Sequence, residues 1–135
     1  MPGKVNILIV DDHSVYADGL EQGINKDDTL CVIGRASNGP ESIEMARKLN
    51  PHVILMDINL PGNIDGVEAA DKIHSRFNIP IVYLTAYADK ETLTRAKITE
   101  PFGYIVKPFG VKDLHSTVEM ALYKFHTDKK TEHLN

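Results

Sequence analysis

The chain has 135 residues, of which 42% are apolar and 25% charged, and its formal net charge is -4. That is the size and balance of one soluble globular domain, without the diffuse positive field that holds nucleic acid or an anionic membrane. No apolar run approaches the ~20 residues of a membrane span, residues 1–4 are too short for a signal n-region, the single cysteine cannot close an internal disulfide, and the six histidines lack paired metal-ligand spacing; a cytoplasmic protein with no structural zinc is expected.

Short apolar runs alternate with longer amphipathic stretches. Residues 5–10 form the first strand-length run and end in Asp11-Asp12, after which Val15, Tyr16, Leu20 and Ile24 recur at helical spacing. Residues 31–36 carry Gly34 and Arg35, which suit an edge strand. Asn38-Gly39-Pro40-Glu41 is a helix start with proline preset for the first turn, and Asn50-Pro51 stops that helix. Residues 53–56 make a third strand, and Asp65-Gly66 opens a helix whose Val67, Ala70, Ile73 and Phe77 repeat every three to four positions. Residues 81–84 make a fourth strand. The helix expected over 89–99 is the most weakly anchored: Leu93, Ala96 and Ile98 are its main apolar residues, and Thr92, Thr94 and Thr99 lower its propensity. Residues 104–106 are the fifth strand, and Leu114, Val118, Ala121, Leu122 and Phe125 lie on one stripe of the last helix. The folded unit is expected over 1–126, with 127–135 a loose polar tail or the start of a linker helix.

Five βα units with right-handed crossovers build an α/β fold, a doubly wound parallel sheet with five helices over both faces. Four of the five strands are apolar on consecutive positions, as expected when both faces are covered. Ligands in such open sheets sit beyond the carboxyl ends of the strands. Those ends carry Asp11-Asp12, Asp57, Thr85 and Lys107-Pro108. Carboxylates gathered there repel by about 1–4 kcal/mol per pair at ~4 Å, so the site must raise a pKa or hold a hard cation. Oxygen ligands suit Mg²⁺, with Mn²⁺ also possible; Lys107 adds a compact positive charge and Thr85 a hydroxyl. Phosphoryl transfer onto a carboxylate requires this set.

The pieces Ile-Leu-Ile-Val-Asp-Asp (7–12), Val-Ile-Leu-Met-Asp-Ile-Asn-Leu-Pro-Gly (53–62), Leu-Thr-Ala-Tyr (84–87) and Tyr-Ile-Val-Lys-Pro-Phe (104–109) occur in order, each at a strand end. With them the chain resembles the receiver domain of two-component response regulators, chemotaxis receivers included, from Lys4 to about Phe125. The resemblance implies a flavodoxin-like strand order 2-1-3-4-5 and a phosphoacceptor switch rather than an enzyme. Asp57 would accept the phosphoryl group from a sensor histidine kinase or phosphotransfer protein. Asp11, Asp12, Asp57 and the backbone carbonyl of Asn59 would bind Mg²⁺, and Thr85 and Lys107 would contact the phosphoryl oxygens. Tyr104 matches the aromatic switch position, Pro108 a proline usually held cis, and Asn59 and Tyr87 the positions that tune dephosphorylation. Signalling would remodel the surface of the fourth helix, fifth strand and fifth helix for a downstream protein partner, as a monomer or a phosphorylation-dependent dimer, with no nucleic acid or membrane bound by this domain. The loop 61–66 is slightly longer than the family's commonest one.

Other readings stand beside these. Asp11-Asp12 suit a helix N-cap, Asp57 a turn, Lys107 the extended geometry that precedes proline, and Tyr104 the core. His13 is expected to be a solvent-facing helix-start residue rather than a ligand, and Cys31 a small buried hydrophobe. A haloacid-dehalogenase-type phosphatase also forms an aspartyl phosphate but needs two aspartates spaced by one residue, and here they are adjacent. A flavin-binding module would want a Gly/Ser/Thr phosphate loop where Asp11-Asp12 stand. A freestanding receiver and a receiver excerpt of a hybrid kinase or multidomain regulator both remain open.

Overall fold

The structure is a computed structural model, described here for residues 3–86, 94, 103–107 and 110–134. Strands β1 (Val5–Val10), β2 (Leu30–Ala36), β3 (Val53–Asp57), β4 (Ile81–Thr85) and β5 (Gly103–Val106) form one sheet in the order β2-β1-β3-β4-β5, all parallel. The described helices are α1 (Ser14–Asn25), α2 (Gly39–Leu49), α3 (Gly66–Phe77) and α4 (Val111–Leu134). The helix expected over 89–99 lies outside the described residues except for Thr94, which is helical and exposed.

Consecutive apolar strand residues divide between two cores, one on each face of the sheet. Leu8, Val10, Ile54, Met56 and Tyr83 face one way and pack with Ala46 of α2 and Val67, Ala70 and Ile73 of α3. Ile7, Ile9, Val53, Leu55, Val82 and Leu84 face the other way and pack with Ala17, Leu20 and Ile24 of α1 and Leu114, Val118 and Ala121 of α4. Every residue from Val53 to Asp57 and from Ile81 to Thr85 is buried. This double coverage is what removes the alternation seen in one-sided sheets. On α1, Val15, counted in the apolar stripe, is 84% exposed, and Ala17 fills the core position instead.

Local signals set the helix ends. The Asn38 side chain accepts the Glu41 N–H at 2.8 Å while the Glu41 carboxylate accepts the Ser37 N–H at 2.8 Å, a reciprocal cap on α2. Asp65 accepts the Glu68 N–H at 3.0 Å and caps α3. Asn50 and Asn78 close α2 and α3 in the left-handed region, at φ 46° and 56°. At the carboxyl end, α4 continues through 127–134, the helical one of the two expected forms of that stretch; it holds no glycine or proline to stop the helix. Cys31 on the edge strand is half-buried rather than enclosed.

Candidate functional site

Backbone ladders that run past the strand ends fix the crevice. The Asp11 N–H donates to the Ala36 carbonyl at 3.0 Å, the Ile58 N–H to the Leu84 carbonyl at 3.0 Å, and the Lys107 N–H to the Thr85 carbonyl at 2.6 Å. Residues following β1, β3 and β5 are thereby tied to the neighbouring strands just where the strands stop. The β3–α3 connection closes tightly over the same place. A Cβ on Gly66 would come within 2.1 Å of the Asp57 carbonyl oxygen and 2.9 Å of Ile58 Cα, so only glycine lets α3 start there.

The crevice brings four of the expected side chains together. Lys107 Nζ donates to Asp11 Oδ2 at 3.1 Å and lies 3.9 Å from Asp57 Oδ2. Asp57 Oδ1 accepts the Asn59 N–H at 3.1 Å. Asp11 and Asp57 are buried while Asp12 is exposed at the rim. Neither aspartate of the pair is the N-cap of α1, which is His13. Asp11 Oδ1 does accept the His13 N–H at 2.8 Å, fixing the entry to the helix. Thr85 is buried at the end of β4, its hydroxyl donating to the Ala86 carbonyl at 3.3 Å. Tyr104 stands 43% exposed on β5, opposite Tyr83 in register, so it is not a core residue. Tyr87 and Pro108 lie outside the described residues.

The charges are unbalanced. One ammonium faces three carboxylates, and Asp57 is pushed up to about 6, first by burial and then by Asp11 and Asp12, against the opposing pull of the Asn59 N–H and Lys107. Two groups outside the expected set take part. Tyr16 on α1 places its ring under Lys107, with Nζ 4.4 Å from the centroid. Its phenol is pushed up to about 12 by burial, then by Asp11 and Asp57. His13 Nδ1 approaches Asp11 Oδ1 at 3.1 Å and Asp12 Oδ1 at 3.3 Å. By spacing alone Tyr16 belongs to an apolar stripe and Gly66 to a helix start. Their positions one turn after the acid pair and at the mouth of the β3–α3 loop were the available signals.

One oxygen each from Asp11, Asp12 and Asp57, with a nitrogen of His13, lie within 4.8 Å of one another. Hard carboxylate oxygens at that spacing, with a net negative charge that Lys107 alone does not cancel, fit a divalent cation of the Mg²⁺ class. Chemically, the crevice offers a carboxylate nucleophile, a fixed ammonium and a place for a metal.

A family model described as the response regulator receiver domain matches residues 7–119. Among curated proteins, the transcriptional regulatory protein PdtaR of Mycobacterium tuberculosis is 32% identical over 119 residues, covering 88% of this chain and 57% of the relative. The nitrate/nitrite response regulator protein NarL of Escherichia coli is 34% identical over 116 residues, covering 85% of this chain and 53% of the relative. The chain thus spans about half the length of the curated relatives it matches. Among solved structures, the signal receiver domain of a modulated diguanylate cyclase from Desulfovibrio desulfuricans aligns with a TM-score of 0.84 at 37% identity, over 91% of this chain and 97% of that one. The response regulator domain of Thermotoga maritima CheB aligns at 0.80 with 25% identity, over 89% and 97%. Among the described residues no helix is long and apolar enough to cross a membrane.

Proposed function

This chain belongs to the response regulator receiver domain family, and from that premise we propose that it is a phospho-accepting switch centred on Asp57. An Asp57 carboxylate oxygen attacks the phosphorus of a phosphohistidine on a sensor histidine kinase or phosphotransfer protein. The O–P bond forms as the N–P bond breaks, and the electron pair returns to the donor imidazole. The single observation that carries this reading is the placement of Asp57: a buried carboxylate at a strand end with Lys107 Nζ at 3.9 Å and two further acids beside it.

Asp11, Asp12, Asp57 and the carbonyl of Asn59 are the residues that would hold Mg²⁺, with Mn²⁺ as an alternative. Bound there, the ion would offset the clustered negative charge and polarise the incoming phosphoryl oxygens. Lys107, which donates to Asp11 and lies over the Tyr16 ring, would pair with a phosphoryl oxygen once Asp57 is modified. Thr85, one strand away, would turn its hydroxyl from the Ala86 carbonyl to the new group. Tyr104, exposed on β5, would turn inward into the space that Thr85 leaves, which would change the surface of β5, α4 and the 89–99 stretch seen by a protein partner. Asn59 and Tyr87 would set the lifetime by controlling approach of water; the bulk of Tyr87 favours slow loss. The output would be a downstream protein or a further segment of a longer regulator, engaged by a monomer or by a phosphorylation-dependent dimer, in the cytoplasm.

The test is to load the chain with Mg²⁺ and a phosphoryl-mimicking fluoride complex and follow its amide spectra. Shifts at Asp57 that extend through residues 85–107 are the expected outcome. Shifts confined to the metal ligands would refute the switch.

A further inference from the structure

His13 occupies the N-cap position of α1, yet its side chain makes no capping hydrogen bond. Its ring turns onto the acids instead. Nδ1 lies 3.1 Å from Asp11 Oδ1, 3.3 Å from Asp12 Oδ1 and 3.9 Å from Asp57 Oδ2. The backbone is tied to the same carboxylate, the His13 N–H donating to Asp11 Oδ1 at 2.8 Å. An octahedral ion with bonds of ~2.1 Å has ligands about 3.0 Å apart along edges and about 4.2 Å across diagonals. The three nitrogen–oxygen separations lie between those two lengths.

We propose that His13 is a nitrogen ligand of the divalent-cation site and that it shifts the site's preference from Mg²⁺ toward borderline transition dications of the Ni²⁺, Co²⁺ and Zn²⁺ class. The proposal rests on the reading of Asp11, Asp12 and Asp57 as cation ligands. Carboxylates alone make a hard oxygen site, suited to Mg²⁺ or Mn²⁺. An imidazole adds a softer donor that Mg²⁺ gains little from, whereas later first-row dications bind it strongly. A plain ion pair is a weaker account of the geometry. The His13 side chain is 68% exposed, and an ion pair so open to water contributes little toward holding the ring on three separate acids.

Other histidines of the chain also offer nitrogen, so the readout must be local. His52 Nδ1 accepts the Asn6 N–H at 2.8 Å, and His115 is engaged by Asp27 and Glu119. The full ¹⁵N-labelled chain is titrated with Ni²⁺ at one fixed pH. Paramagnetic broadening of amides 11–14 and 57–59 reports occupancy of the crevice, and competition by Mg²⁺ gives the preference between the two ions. Wild type, His13→Ala, His13→Gln and Asp12→Asn are compared. The expected result is that the Ni²⁺-over-Mg²⁺ preference at the crevice falls ~10-fold or more in both His13 variants, the size of effect that loss of a metal-site partner produces. Asp12→Asn weakens both ions together. An unchanged preference in the His13 variants, with Asp12→Asn still weakening Mg²⁺, overturns the role of His13 and leaves the phospho-accepting reading standing. Failure of either ion to perturb the crevice amides of the wild type overturns both.

Discussion

Replacing Asp57 with asparagine should stabilise the metal-free protein. Burial and the neighbouring Asp11 and Asp12 push the Asp57 carboxyl from 3.8 to about 6. Each pKa unit corresponds to ~1.36 kcal/mol, so keeping this carboxylate ionised at pH 7.5 costs the fold on the order of 2–3 kcal/mol. Its side chain is only 6% exposed, so water screens little of that cost. The Asp57→Asn amide would remove the charge, retain the volume and still accept the Asn59 N–H. The sign follows from linkage. Between pH 3.8 and about 6 the native state binds more protons than the unfolded chain, so wild-type stability falls as pH rises through that window. The Asp57→Asn advantage should therefore be full above about pH 6, roughly halved at pH 5, and lost once both states are protonated. Urea unfolding in the presence of a chelator reads it directly, and thermal unfolding should show a midpoint higher by on the order of 10 °C. Saturating Mg²⁺ should close most of the gap by compensating the wild-type charge. A variant no more stable than wild type in chelator at pH 7.5, or an advantage that grows on acidification, would refute the electrostatic reasoning.

Three further outcomes follow from the same geometry. Gly66→Ala should cost ~2 kcal/mol or more in denaturant unfolding, because the new Cβ would meet the Asp57 carbonyl oxygen at 2.1 Å, a backbone atom with no rotamer to yield; a loss below ~0.5 kcal/mol would show that the loop gives way freely. Lys107→Ala should slow phosphoryl uptake from a small-molecule donor by ~10-fold or more, the worth of about one charge-assisted hydrogen bond, while Mg²⁺ still binds; an unchanged rate would remove Lys107 from the chemistry. At the opposite end of the sheet, partial burial pulls the His115 imidazole down, but its hydrogen bonds to Asp27 and Glu119 more than offset this and hold the pKa above 6.5. The contribution is thus complete below pH 6.5 and lost as pH rises through the raised folded value. His115→Gln should destabilise by up to ~1 kcal/mol at pH 6 and far less at pH 9, and a cost independent of pH would show that the pair acts by packing alone.

Much of the site was legible because parallel-sheet physics places the chemistry. Asp11, Asp57, Thr85 and Lys107 each follow an apolar run, and the strand order that the runs imply brings those ends together. Capping chemistry was equally direct at Asn38, Glu41 and Asp65, where side-chain spacing alone specifies the hydrogen bond. What the sequence hid depends on three-dimensional approach. Gly66 looks like an ordinary helix start until α3 is seen resting against the Asp57 carbonyl. Tyr16 belongs to an amphipathic stripe by spacing, yet its ring lies under an ammonium that follows β5, ninety-one residues later in the chain. His13 reads as a surface residue, which it is by exposure, but a β-region backbone at its N-cap position turns the ring inward to the acids. Val15 shows the reverse error: it stands five positions before Leu20, about 140° around the helix from it, and so falls on the solvent side.

The most direct measurement is the mass of the intact chain after incubation with a small-molecule phosphodonor and Mg²⁺, followed by localisation of the modification. The account predicts one phosphoryl group per chain, carried on Asp57, labile to hydroxylamine as an acyl phosphate should be, absent in Asp57→Asn and absent when the metal is chelated. A chain that stays unmodified under these conditions, or one modified equally after Asp57 is replaced, would contradict it.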